Sequence, residues 1–445
     1  MMDIRWEMVP YTRGTGIQLN PKDEKYFPHF VGCGAEKLRY LAGNTYDFAV
    51  VDDLTGTSLD EVWTKIRPGG HLVITAPVEE PPPGSWIEIL GNWVPNMWVY
   101  QRTTNGVNTA TLRARNAAKK TAGVVRFGAV GDMIQTSSVL RQLKADGYHV
   151  TLFCHSGSSY DVIREDPSVD EFVIQDVDQV PNEQLGEYWT YLSKQFDKFV
   201  NLSGSVESTW LALEHTYPFY WPPEVRHKYL NENYLEFMHT LAGVPFVPAP
   251  KFFSTEKERR RVQQWKKKIG GKVLLWALAG SSVHKWWPHT DAVVARLMIE
   301  HSDWHVVFVG DELCKILEVG WEKEPRVHRR SGVWTYRQSL TFAVEQADVV
   351  IGPETGVLNA VSHEQVPKLV FLSHSSHNNL TRDWVNVHPL TPENAPCHPC
   401  HMLHTNELWC KKDKETGASI CSANTSAHQV WTILDKVIKD GRSNS

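Results

Sequence analysis

Residues 126–140 read RFGAVGDMIQTSSVL. The apolar run GVVRF at 123–127 leads into this stretch, and TSSVLRQLKADG follows with Val139, Leu140 and Leu143 at helical spacing. A strand, a glycine-flanked turn and a helix in that order predict the first unit of a parallel, Rossmann-like sheet. HVTLFC, DPSVDEFVIQD and FDKFVNLSG supply further strands. After an aromatic, proline-interrupted region, a second α/β unit begins at about residue 251. Its strands are KVLLWALAG, WHVVFVGDE, ADVVIGPETG and KLVFLSH. DAVVARLMIEH places Val293, Val294, Leu297 and Met298 on one helical face, and HQVWTILDKVI closes the chain as an outer helix. The expected class is α/β, with two Rossmann-like lobes and ligands at the carboxyl ends of their strands.

Upstream, residues 46–76 alternate a strand (YDFAVV), a polar turn, a short helix (LDEVWTKI), a reversal at Gly69 and Gly70, and a strand (HLVITAP). This order resembles the second half of a class I methyltransferase. VGCGAEKL, with Gly32 and Gly34, would then be a remnant of the glycine-rich cofactor loop. Only about a dozen residues separate Gly34 from YDFAVV, too few for a complete cofactor site. The segment is therefore expected to be degenerate and not to use S-adenosylmethionine. The expected boundaries are 1–112 for this segment, 113–122 for a linker, 123–250 for the first lobe and 251–445 for the second.

The 445 residues are 42% hydrophobic and 22% charged, with a net charge of -5, which gives no global attraction to nucleic acid. The basic stretch STEKERRRVQQWKKKIGGK reads as a solvated helix capped by Ser254 or Thr255. No apolar run reaches the roughly 18 residues of a membrane span, and the N-terminus lacks a signal-peptide core, so a cytoplasmic protein is expected. Seven cysteines in such a chain argue for reduced thiols or metal ligands over disulfides.

The RxGxxGDxxxTxxL pattern carried by Gly128, Gly131, Asp132 and Thr136 resembles the opening of heptosyltransferases, glycosyltransferase family nine. ALAGSSVHKWWP and VVIGPETGVLNAVSHEQVPKLVFLSH are similar to that family's later segments, and the likeness spans roughly residues 123–432. It implies a GT-B fold and an inverting, metal-independent transfer of a heptose-like or other sugar from a nucleotide-diphosphate donor to an acceptor hydroxyl. No Asp-x-Asp pair falls in a cleft position. Asp132 matches the family's general base. Gly131, Ser281, Ser282, Lys285, Asp311, Glu354, Thr355, Gly356 and Asn359 are the expected donor-binding residues. Lys285 and the two serines would meet the diphosphate, Thr355 and Gly356 would open a helix toward it, and Asp311 would meet the ribose. The family usually has Asp at Glu354 and often His at Asn359, so the donor contacts should differ. The resemblance favours a glycan acceptor over nucleic acid or protein, and no cofactor is expected for transfer. CHPCHMLHTNELWC and the later Cys421 leave two readings open: a structural zinc on Cys397, Cys400, Cys410 and Cys421, or buried reduced thiols. A bifunctional methyltransferase and a non-catalytic nucleotide-sugar binding protein are the rival functions.

Overall fold

The computed structural model describes residues 8–12, 14–21, 30–78, 86–90, 97–102, 120–155, 157–175, 182–204, 212–214, 216–282, 284–404 and 410–443. The expected 113–122 linker falls mostly outside them. The chain packs as two compact units. One comprises Met1–Phe127, Leu143–Tyr160 and Val169–Val200; the other comprises Gly128–Gln142, Asp161–Ser168 and Asn201–Ser445. This partition cuts across the boundaries expected at 112, 123 and 251. Among the described residues no helix is long and apolar enough to cross a membrane.

Among the described residues the first unit holds two sheets. Strands β1 (Gly16–Leu19), β2 (Val31–Cys33), β3 (Tyr46–Val51), β4 (Ile66–Ile74), β5 (Trp86–Leu90) and β6 (Trp98–Arg102) take the order β2-β1-β3-β4-β6-β5. The first four are parallel, and β6 is antiparallel to both β4 and β5. Helix α1 (Leu59–Lys65) is capped by Ser58, whose side chain accepts from the Glu61 amide. Alternation sends Ile17, Leu19, Ala49, Val51, Leu72 and Ile74 to one face, against Val62 of α1. Phe48, Val50, Val73 and Val99 face the other way.

Two expectations change here. Gly69 and Gly70 do not form a reversal between helix and strand, because β4 starts directly at Ile66. Pairing jumps from Tyr46–Ile66 to Phe48–His71, so Arg67–Gly70 is a bulge within the strand. A Cβ on Gly70 would stand 2.3 Å from the Asp47 carbonyl oxygen, which only glycine avoids. VGC is likewise not a cofactor loop but the edge strand β2.

Strands β7 (Thr121–Val125), β8 (His149–Cys154), β9 (Glu171–Ile174) and β10 (Lys198–Asn201) form the second sheet, in the order β10-β7-β8-β9. Val125, Phe153 and Val173 pack into the same core as Phe48, Val50, Val73 and Val99. The N-terminal segment is therefore built into this unit through a shared core.

In the second unit, β11 (Ala212–Leu213) pairs with β18 (Met402–Leu403). The main sheet contains β12 (Lys272–Ala277), β13 (Trp304–Val309), β14 (Val327–Arg329), β15 (Val349–Pro353), β16 (Lys368–Phe371) and β17 (Val387–Leu390). All are parallel, in the order β14-β13-β12-β15-β16-β17. Numbered along the chain this is 3-2-1-4-5-6, so the order reverses between β12 and β15. Helices α2 (Val130–Ala145, mostly in this unit), α3 (Tyr234–Ala242), α4 (Glu256–Ile269), α5 (Thr290–Glu300), α6 (Tyr336–Glu345), α7 (Gly356–Ala360) and α8 (Ala427–Ser443) complete the elements used below. Val293, Val294 and Leu297 of α5 and Val430, Trp431 and Leu434 of α8 cover one sheet face, as their spacing predicts. The basic helix α4 opens on a capping box between Thr255 and Glu258, and its Arg259 and Arg260 pair with Glu256 in solvent.

Candidate functional site

The loops after β12 and β15 leave neighbouring parallel strands at the point of reversal, where a crevice opens because the chain departs to opposite sides. The first loop carries SSVHK and the second PETG. Trp287 fixes the first. Its ring lies between Trp276, centroids 5.8 Å apart, and Phe371 at 4.9 Å, and its Nε1 donates to the Thr425 carbonyl at 2.8 Å. With Trp287 seated in the core, Lys285 two residues earlier has little freedom.

Lys285 is not the surface lysine its type suggests, being only 8% exposed. Its Nζ donates to the Glu354 carbonyl at 2.9 Å, which ties the two loops together. Burial pushes its ammonium down from the usual lysine value, while the carboxylates of Glu354 and Asp132 pull it partly back. Asp132 and Lys285 therefore interact electrostatically, although 153 positions separate them in sequence. Asp132 lies in the first turn of α2, which starts earlier than the sequence pattern suggested. Its Oδ2 accepts from the Ala129 amide at 2.9 Å and its Oδ1 from the Tyr234 hydroxyl at 3.4 Å.

Three glycines permit this convergence. A Cβ on Gly280 would meet the Lys285 stem at 2.7 Å and the Thr355 methyl at 3.1 Å. One on Gly131 would meet Asn359 Nδ2 at 2.6 Å, and one on Gly356 would overlap the Tyr336 hydroxyl at 1.9 Å. The close approach of α2, α7 and the Lys285 loop thus requires glycine at all three positions. Thr355 Oγ1 is buried without a hydrogen-bond partner, a donor left over beside Lys285.

Four of the expected donor contacts involve groups with internal partners or a short helix. Ser282 spends its hydroxyl proton on the His404 carbonyl at 2.6 Å, so only the exposed Ser281 keeps a hydroxyl for an outside group. Glu354, 3% exposed, accepts from the Ser373 amide and hydroxyl and from the Ser375 amide and hydroxyl, and its Oε2 lies 2.8 Å from His374 Nδ1. Burial alone would raise this carboxyl, yet His374, Lys285 and the Ser375 hydroxyl hold it well below the usual carboxylate range. Burial outweighs the pull of Glu354 on His374 and keeps that imidazole neutral. Glu354 is therefore held by internal partners in this structure. Asn359 is also internally committed: its Nδ2 donates to the Thr355 carbonyl at 2.9 Å and its Oδ1 accepts from Gln135 at 2.6 Å. Finally, α7 has only five residues, too short to develop the dipole expected of an anion-binding helix.

Asp311 stands exposed just beyond β13, where it caps the next turn by accepting from the Cys314 amide at 3.1 Å. Farther along the same edge, Lys315, Glu318, Val327–Arg330, Ser331 and Val333 line a cavity of about 410 Å³. Ser331 Oγ and Arg330 Nε are buried there without protein partners. Sequence reasoning missed Tyr234, Gln135, His374, Ser373 and Ser375. The last three follow β16 in FLSHSS, and a polar run at the end of an apolar parallel strand was the available signal.

Cys397, Cys400, Cys410 and Cys421 are all unbonded thiols. Burial, then the other cysteines of the set, push Cys400 well up, and burial with Cys421 and Cys397 takes Cys410 to about 12. The four thus share one neighbourhood. Among the described residues, however, the tight grouping that contains Cys410 is with His284 and His404, each donor atom within 4.8 Å of the others.

No protein-family model matches the sequence, and no curated protein matches it. Among solved structures, the chain is similar to the Escherichia coli ADP-heptose LPS heptosyltransferase II at 13% identity, covering 72% of this chain and 99% of that one, with a TM-score of 0.49. It is similar to the iron-containing dodecameric glycosyltransferase TibC of enterotoxigenic E. coli at 13% identity, covering 72% of this chain and 77% of that one, with a TM-score of 0.48. A glycosyl transferase of family 9 from Veillonella parvula gives 13% identity over 61% of this chain and 85% of that one, with a TM-score of 0.47.

Proposed function

We propose that the chain is a GT-B type glycosyltransferase that moves a sugar from a nucleotide-diphosphate donor to an acceptor hydroxyl, with inversion. The observation that carries this reading is the buried Lys285, tied to the Glu354 carbonyl at the strand-order reversal of the second unit's main sheet and within electrostatic reach of Asp132. Asp132 takes the acceptor proton as the hydroxyl oxygen attacks the anomeric carbon. The bond to the diphosphate breaks, and its growing negative charge is met by Lys285, the Thr355 hydroxyl and the exposed Ser281. Lys285 uses one of its three N–H groups on the Glu354 carbonyl, which leaves two for phosphate oxygens.

The strand order suggests how the rest of the donor lies. In sheets of this order the phosphates sit at the end of the first strand and the ribose meets an acid at the end of the second. Those places are the Lys285 loop after β12 and Asp311 after β13. The base would then reach the cavity beside β14, where the Ser331 hydroxyl and the Arg330 Nε await partners. A glycan is the acceptor class we favour, in the cytoplasm. We read the N-terminal segment as a degenerate methyltransferase-like fold that does not use S-adenosylmethionine. Asp52 in that segment is committed to Gln18 and Thr75, both at 2.6 Å, and is not left to hold a cofactor ribose.

The test is the binding of nucleoside diphosphates against free nucleosides. Lys285→Ala should weaken diphosphate binding by roughly 10- to 150-fold, the equivalent of about 1.5 to 3 kcal/mol for a charge-assisted contact, and barely change nucleoside binding. Equal weakening of both would remove the phosphate role.

A further inference from the structure

The loop that presents Lys285 carries one buried imidazole that the proposed transfer does not use. His284 is 2% exposed, and its Nε2 is buried without a hydrogen-bond partner. His404, from the C-terminal cysteine-rich segment, is 3% exposed, and its Nδ1 is in the same condition. A buried ring nitrogen with no partner loses its hydration and gains nothing in return. The two residues also lie together beside the Cys410 thiol, a set that calls for a shared ligand.

We propose that His284, His404 and Cys410 form a metal site for a divalent first-row transition ion, zinc foremost, which staples the Lys285 loop to the C-terminal segment. One donor atom from each lies within 4.8 Å of the others. Metal–nitrogen bonds of about 2.0 Å and metal–sulfur bonds of about 2.3 Å set ligand atoms roughly 3.3 to 3.8 Å apart, so a small contraction closes the set. Two imidazoles and a thiolate suit zinc and its borderline neighbours, and not magnesium or calcium, which want oxygen.

The surroundings agree. Ser282 Oγ lies 3.2 Å from His284 Nδ1 while donating to the His404 carbonyl at 2.6 Å, so one hydroxyl orients both histidine segments. Such outer-shell contacts fix ring orientation in metal sites. Cys410 would supply the charge as a thiolate, its proton leaving as the ion binds. The fourth position is open to a water. This site differs from the four-cysteine zinc that sequence spacing suggests, and it does not depend on the glycosyltransferase reading.

X-ray absorption at the metal edge, on full-length protein purified without chelator, separates the two without any substitution. About one metal per chain with a mixed nitrogen and sulfur shell is the expected result. A shell of four sulfurs, or protein free of metal, would overturn the proposal. Metal content in variants gives a second reading. His284→Ala and His404→Ala should each lose the ion, Ser282→Ala should weaken metal affinity by about 10- to 100-fold, and Cys397→Ser should retain it. Retention in both histidine variants with loss in Cys397→Ser would assign the ion to the cysteines alone.

Discussion

Replacing Gly131 with alanine should destabilise the protein, although the same change at an open helical glycine stabilises it. Gly131 sits in the first turn of α2, where alanine by itself gains about 0.5 to 1 kcal/mol from lower chain entropy and better helix propensity. Against this, the new Cβ would stand 2.6 Å from Asn359 Nδ2. Asn359 is 4% exposed and cannot swing into solvent. It is also held at both ends, by the Thr355 carbonyl at 2.9 Å and by Gln135 at 2.6 Å. Displacing it weakens two buried hydrogen bonds, each worth about 1 to 3 kcal/mol when a partner is left unsatisfied. The net expectation is a loss of about 2 kcal/mol, or a melting midpoint lower by roughly 4 to 8 °C for a unit of this size. Gly186→Ala is the control: it lies in the helix Leu185–Ser193 with nothing within 4 Å of its added Cβ, and should gain about 0.5 to 1 kcal/mol. Thermal and urea unfolding measure both. In an Asn359→Ala background the obstacle is gone, so Gly131→Ala should there become neutral or stabilising. If Gly131→Ala melts at or above wild type in the native background, the close approach of α2 to α7 is wrong, and with it the placement of Asp132.

Asp132→Asn should leave donor binding nearly intact and lower turnover by about 100- to 10,000-fold, the usual cost of losing a general base; unchanged turnover would remove Asp132 from the mechanism. Glu354→Ala strips the buried partner from His374 and four donor groups at once, and should cost about 3 to 5 kcal/mol in unfolding experiments. The Glu258–Arg337 pair should give a pH signature. Burial would raise the Glu258 carboxyl, but the Arg337 guanidinium and the Thr255 amide bring it from 4.5 to about 2. A depressed carboxyl binds fewer protons folded than unfolded, so its stabilisation is complete above about pH 4.5 and disappears as pH falls through about 2. The melting difference between wild type and Glu258→Gln should shrink across that window.

The sequence by itself determined the elements and their class. Runs such as KVLLWA and VVIGP have the near-continuous apolar character of strands buried on both faces, and the helices between them carry one apolar stripe. Glycine-bearing strand ends then located the loops that converge, because those signals are local. What each polar side chain in those loops does was settled only by tertiary structure. Ser282 meets a carbonyl 122 positions away, and Gln135 meets Asn359 across 224. A hydroxyl or an amide has the same appearance in sequence whether it faces a ligand or a distant backbone group, and burial forces it to take whichever partner the fold brings. The same holds for the cysteines: spacing suggested four thiolates on one ion, whereas packing brought two histidines from separate segments to Cys410. PGG read as a turn for a related reason, since a strand bulge is imposed by the neighbouring strand, whose Asp47 carbonyl leaves no room for a side chain at Gly70.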